Sequence, residues 1–173
     1  MNEKTRKLVT VGVLIAVEVA AGRLVSISLP AVKIGFAFLP LAVIAMLYGP
    51  VWSGAAAGIS DILIALLGSF GYFPPLTIPA ILTGIIYGFS FYRKPISLPR
   101  VALAVLCDSM FVSLLLKTYF LTFQSGMDYL ALLPGRAIQN LITCPLQIIC
   151  IRFIARRIAL LAGGSAFRSG EHK

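Results

Sequence analysis

The chain is poor in the residues that do chemistry in water. Its single histidine, His172, lies in a polar tail, and its three cysteines, Cys107, Cys144 and Cys150, sit inside apolar runs without a Cys-x-x-Cys pairing. No His-based triad or histidine metal site can be assembled in the body of the chain, and the cysteines read as small apolar packing residues. There is no Gly-x-x-x-x-Gly-Lys-Ser/Thr loop to cradle a nucleotide, no Gly-x-Ser-x-Gly elbow and no His-Glu pair. P-loop ATP binding is therefore excluded and hydrolysis has no apparatus, so neither enzymatic activity nor a cofactor is expected. Charge is scarce too: 12% of residues are charged, with six acids against fifteen lysines and arginines. The paired, inverted pattern of broken helices that marks many secondary transporters is also missing.

What the chain has is apolar length. Hydrophobic residues make up 59% of 173, arranged in successive runs of roughly 16 to 30, each about long enough to cross a ~30 Å hydrocarbon layer at 1.5 Å per residue. The expected fold is an all-α integral membrane protein: a six-transmembrane-helix bundle with N and C termini cytoplasmic. It forms one domain over residues 1–162, and 163–173 is a disordered cytoplasmic tail. The spans are read as Leu8–Val25, Ile34–Tyr48, Val51–Leu67, Thr77–Phe91, Pro99–Lys117 and Leu130–Leu161. Gly49-Pro50 is a turn too short to hold anything else, and Pro79 sits near the first turn of span 4, where its missing N–H costs nothing. Ser26–Lys33 and the aromatic, polar segment Thr118–Asp128 are expected loops. Lys4, Arg6 and Lys7 before an apolar run, with Val19-Ala20-Ala21 beyond, imitate a cleaved secretory signal. Glu18 interrupts that run, so the segment is read as the first span. The last run would be ~48 Å long as one helix, and is expected to tilt, bend near Pro145 or project from the bilayer.

The basic residues orient the bundle. Lys4, Arg6, Lys7, Arg93, Lys94, Arg100, Arg152, Arg156, Arg157, Arg168 and Lys173 fall on one side, which the positive-inside rule makes cytoplasmic. They lie at span ends and form no amphipathic stripe, so nucleic acid is not an expected partner. The four exceptions, Arg23, Lys33, Lys117 and Arg136, fall together near the outer ends of spans 1, 2, 5 and 6. A cation near the apolar part of a span costs up to ~3 kcal/mol, so one that persists usually faces a cavity or a partner, unless its long stem snorkels to the interface.

Span 6 adds a polar stripe. Arg136, Asn140, Thr143 and Gln147 share one helical face, with Gln139 beside them, and such a face either lines a pocket or bonds to neighbouring helices. Spans 2, 4 and 6 begin on the outer side, so their positive dipole ends favour an anion there. Tyr72, Phe73, Tyr119, Phe120 and Phe123 flank that layer as stacking residues, a lid or an interfacial aromatic belt. Of the intramembrane acids Glu18, Asp61 and Asp108, Asp61 is the best placed for pocket polarity, whereas Asp108 lies closer to the cytoplasm. Small residues at four-residue spacing, Gly12, Ala16 and Ala20 on span 1 and Gly54 and Gly58 on span 3, make smooth faces. These suit either docking of a separate membrane subunit or close packing within the bundle.

Several stretches together resemble one family: Lys33-Ile34-Gly35-Phe36-Ala37-Phe38-Leu39-Pro40; Gly49-Pro50 with Gly54, Gly58 and Asp61; Tyr72-Phe73-Pro74 with Thr77, Ala80, Gly84 and Ile86-Tyr87-Gly88; Thr118-Tyr119; and Leu133-Pro134-Gly135-Arg136 with Gln139-Asn140. In this order and spacing the chain resembles, over nearly its whole length, the substrate-binding S components of energy-coupling-factor (ECF) vitamin importers, the folate-specific members above all. The resemblance implies a multi-pass protein of a bacterial plasma membrane that binds folate from outside, in a pocket closed by the loops after spans 1, 3 and 5. It implies that Ala16 and Ala20 face a transmembrane coupling subunit driven by two separate ATPases. The chain departs from that pattern at Pro75 and Pro79, where Gly and Ser are expected, and at Lys117, where a neutral residue is expected. Folate fits the independent reading in outline. Arg23, Lys117 and Arg136 would contribute to anion recognition, Gln139 and Asn140 to heterocycle or amide contacts, Tyr72, Phe73 and Tyr119 to stacking or closure, and Asp61 and Thr77 to the polar wall. The competing readings are an S component for pantothenate, niacin or riboflavin, a small lipid-acting membrane enzyme, and a purely structural subunit.

Overall fold

The structure, a computed structural model, describes residues 3–24, 27–28, 33–67, 74–94, 97–126 and 128–161. Among these residues the chain forms six helical rods. They are α1 (Glu3–Leu24), α2 (Phe38–Tyr48), α3 (Pro50–Leu66), α4 (Thr77–Phe91), a composite fifth rod, and a long sixth one. The fifth rod joins α5 (Leu98–Cys107), a π-helical segment (Asp108–Lys117) and α6 (Thr118–Ser125), and the sixth is α7 (Tyr129–Leu161). A short antiparallel ribbon pairs β1 (Ile27–Ser28) with β2 (Lys33–Ile34) between α1 and α2. The rods starting at Pro74, Leu98 and Tyr129 are long and apolar enough to cross a membrane by length and composition, whereas α2 and α3 are shorter apolar helices.

Helix α2 occupies the centre. It packs against α1, α3, α4 and α7, and buries Phe38, Leu41, Ala42, Ile44 and Ala45, as expected of a helix that is apolar all round. A second core cluster joins Val11 and Ile15 of α1 to Ile44 and Ala56. Gly49, at φ 86°, makes the reversal into α3, and Pro50 opens that helix without losing a needed N–H.

The α3–α4 pair is the closest in the bundle. A Cβ on Gly84 would strike Ser53 O and come within 2.7 Å of Ser53 C, and one on Gly88 would strike Pro50 Cα. The Ser53 hydroxyl, 2.7 Å from Gly84 O, stitches the two backbones together. Backbone thus meets backbone, a geometry available only where the side chain is absent.

Two expectations change. Span 2 begins at Phe38 rather than Ile34, because Lys33 and Ile34 pair in the ribbon. The segment 118–128, expected as a loop, is helical to Ser125 and ends at Gly126 with φ 67°. Its polar residues do not break the helix because they bond back onto it: Thr118 Oγ1 donates to Ser113 O at 3.1 Å and Thr122 Oγ1 to Tyr119 O at 2.6 Å. Tyr119 and Phe123, one turn apart, meet edge to face at 5.2 Å. The 33 residues of α7 continue through Pro134 and Pro145, and at 1.5 Å per residue they run to about 50 Å.

Candidate functional site

The C-terminal ends of α1, α3 and α6 and the N-terminal starts of α2, α4 and α7 share one end of the bundle. There β2 packs on α7, and the 3-10 turn Pro74–Leu76 packs on α6. This is the site end. The chemistry is laid out below it in two connected clusters.

The first cluster joins α3, α4 and the π segment. Thr77, buried at the start of α4, donates to Asp61 Oδ2 at 3.1 Å. Lys117 is half-buried and near enough to Asp61 and Asp108 for its charge to act on both. Glu18 of α1 is 5% exposed and lies near Ser60 of α3, whose hydroxyl donates to Ala57 O at 3.1 Å, and the Glu18 Oε2 has no partner among the described residues.

The second cluster joins the π segment to α7. Asn140 Oδ1 accepts from Ser113 Oγ at 3.0 Å, and Asn140 Nδ2 donates to Ser109 O at 3.2 Å. Ser109 Oγ lies 2.8 Å from Cys144 Sγ, and Thr83 Oγ1 donates to Asp108 Oδ1 at 2.6 Å. The polar stripe of α7 therefore faces the bundle. Arg136, Gln139, Asn140, Thr143 and Gln147 are all half-buried, whereas Ile138, Leu141, Ile142 and Ile149 point away and are exposed.

The Ser113–Asn140 contact fixes the relative height of two cations. The two helices run in opposite directions, so Lys117, four residues after Ser113, and Arg136, four residues before Asn140, both stand about one turn nearer the site end. Arg136 is half-buried and has no hydrogen bond or ion pair among the described residues. A guanidinium with five donors at that depth is a ready receptor for a carboxylate.

Of the sequence-expected residues, the structure thus brings together Asp61, Thr77, Lys117, Arg136, Gln139 and Asn140. Asn140 is spent at least in part on interhelical bonds. Tyr119 lies on the exposed side of α6. Tyr72, Phe73 and the side chain of Arg23 lie outside the described residues. Gly12, Ala16 and Ala20 form an exposed stripe along α1. The expectation that Gly54 and Gly58 belong to a docking face is corrected: they are filled from within by α4, whose Ile85 and Ile81 side chains would meet added Cβ atoms at 2.9 Å. Thr83, Ser60, Ser109 and Ser113 were missed. Hydroxyls in apolar helices can bond to their own backbone, so their sequence positions carried no signal.

Half-buried cationic and amide side chains toward one end of an apolar helical bundle suit a membrane-embedded protein that binds a solute. The model of the family "ECF-type riboflavin transporter, S component" matches residues 2–156. The folate transporter FolT of Clostridium novyi (strain NT) is 33% identical over 150 residues, covering 86% of this chain and 87% of that one. FolT of Leuconostoc mesenteroides is 29% identical over 151 residues, covering 83% and 81%. A crystal structure of FolT bound with folic acid superposes with a TM-score of 0.81 at 32% identity, covering 90% of this chain and 95% of that one. The S component of a bacterial ECF transporter shares the fold alone, with a TM-score of 0.73 at 19% identity. The chain belongs to the S components of ECF transporters, multi-pass membrane proteins that bind the solute and catalyse nothing.

Proposed function

We propose that this S component binds folate or a reduced folate at its site end, which faces the outside of the cell, and delivers it with a transmembrane coupling subunit and two ATPases. The observation that carries the reading is the level pair Arg136 and Lys117, one of them without a counter-charge among the described residues. Folate carries glutamate carboxylates that such a pair recognises, whereas riboflavin, the solute in the name of the matching family model, carries no charge to meet it. The two FolT relatives and the folic-acid-bound FolT structure point the same way.

Isothermal titration of detergent-purified protein tests this. Folic acid is expected to bind saturably and riboflavin not to bind; the reverse result overturns the assignment. Calorimetry suits the molecule better than intrinsic fluorescence, because the single tryptophan, Trp52, sits beside Tyr48 at the opposite end of the bundle.

The exposed Gly12, Ala16 and Ala20 stripe is the docking face for the coupling subunit, since small residues let a partner backbone approach closely. Ala16→Trp is expected to leave folate affinity unchanged and to abolish folate uptake into proteoliposomes containing the full transporter. Uptake at the wild-type rate would remove α1 from that interface.

A further inference from the structure

We propose that Asn140 is a positioning residue for Lys117: it holds the π-helical segment in a wide-turn register that turns the lysine into the binding site. Asp108 and Lys117 are nine residues apart. At 3.6 residues per turn, nine residues make about two and a half turns, which would put the two side chains on opposite faces of the rod. An i→i+5 ladder holds more residues per turn, so the same nine residues make about two turns and the side chains share a face. The structure has the shared face. Asp108, Ser109 and Val112 are buried, Ser113 reaches α7, and Lys117, at the end of the same π segment, is half-buried and within electrostatic reach of Asp108 and of Asp61 on α3.

A long π segment is intrinsically unfavourable, and isolated π turns are the usual limit. Here side chains from outside the ladder supply donors to its carbonyls. Asn140 Nδ2 donates to Ser109 O at 3.2 Å, Thr118 Oγ1 to Ser113 O at 3.1 Å and Tyr129 OH to Leu114 O at 3.3 Å. Asn140 is the one that also accepts, taking Ser113 Oγ at 3.0 Å. It thus grips the segment at two points four residues apart, from the α7 face that also carries Arg136. Register and cation spacing are set by the same amide.

The affinity arm of the test rests on the folate reading; a second arm does not. Folate dissociation constants are measured by calorimetry for wild type, Asn140→Ala, Lys117→Met and the double variant, with Ser113→Ala as the milder cut of the same grip. Asn140→Ala is expected to weaken binding about 10-fold in the wild-type background and not at all in the Lys117→Met background, a coupling that two independent contacts would not show. Losses that multiply would make Asn140 a direct ligand contact and overturn the proposal, as would an Asn140→Ala variant that binds like wild type. Hydrogen exchange of the ligand-free protein supplies the other arm. Amides of 108–118 are expected to exchange faster in Asn140→Ala and Ser113→Ala while those of α3 and α4 hold, and unchanged exchange at 108–118 would overturn the register claim. A wild-type protein that binds no folate would refute the function proposed above, and the exchange arm would still decide this one.

Discussion

Replacing Arg136 by alanine is expected to weaken folate binding by roughly 100-fold or more, with the protein still folded. Truncating one member of a desolvated, hydrogen-bonded charge pair costs about 2–5 kcal/mol, and each 1.4 kcal/mol is about a factor of ten in affinity. The arginine sits where that cost is high: half-buried on the inward face of α7, level with Lys117, and with no partner of its own among the described residues. No structural bond among the described residues is therefore lost with it. Arg136→Lys should fall between, keeping the charge but losing the planar fork that grips a carboxylate at two points. Calorimetric titration measures both, and an Arg136→Ala protein with wild-type affinity would take the anion-binding role away from α7.

Adding one methyl group at Gly88 or Gly84 is expected to be the most damaging small change to the fold. Inserting a methylene into a packed core ordinarily costs about 1–3 kcal/mol, because side chains leave their rotamers to make room. Here the obstacle is backbone: Pro50 Cα and N for Gly88, and Ser53 C and O for Gly84. Backbone cannot step aside by rotation, so helices α3 and α4 must separate along their length, and the Ser53 bond to Gly84 is broken with them. Gly88→Ala and Gly84→Ala should lower the thermal midpoint in detergent and the monodisperse yield together. Gly12 and Gly135 are matched controls, since an added Cβ would meet nothing within 4 Å at either. Gly12→Ala and Gly135→Ala should hold or raise stability, by about 0.5–1 kcal/mol from helix propensity.

The proposed docking of a coupling subunit would fall on the outer face of α1. Its outer face carries the small-residue stripe, and its inner face carries Glu18, buried against Ser60 of α3. Glycine spacing alone did not separate the two uses of small residues. Gly12, Ala16 and Ala20 stand free on α1, whereas Gly54 and Gly58 on α3 are covered by Ile85 and Ile81 of α4. A four-residue repeat says that one face is smooth; which neighbour covers it depends on how the rods are arranged around each other.

What the sequence determined by itself follows from one-dimensional physics. Apolar run length against bilayer thickness placed the bundle in a membrane and counted its rods, and Gly49-Pro50 placed the α2–α3 reversal. Helical spacing put Arg136, Gln139 and Asn140 on one polar face that lipid does not accept. The tertiary structure alone decided the rest. Only the packing of α7 against the fifth rod shows that Lys117 and Arg136 stand level, that Asn140 is engaged with Ser109 and Ser113, and that residues 108–117 adopt a wide turn. The reason is that periodicity fixes each helix face relative to itself. The partner of a polar side chain, and the ladder that its bonds make affordable, are set by contacts between residues about thirty positions apart in the chain.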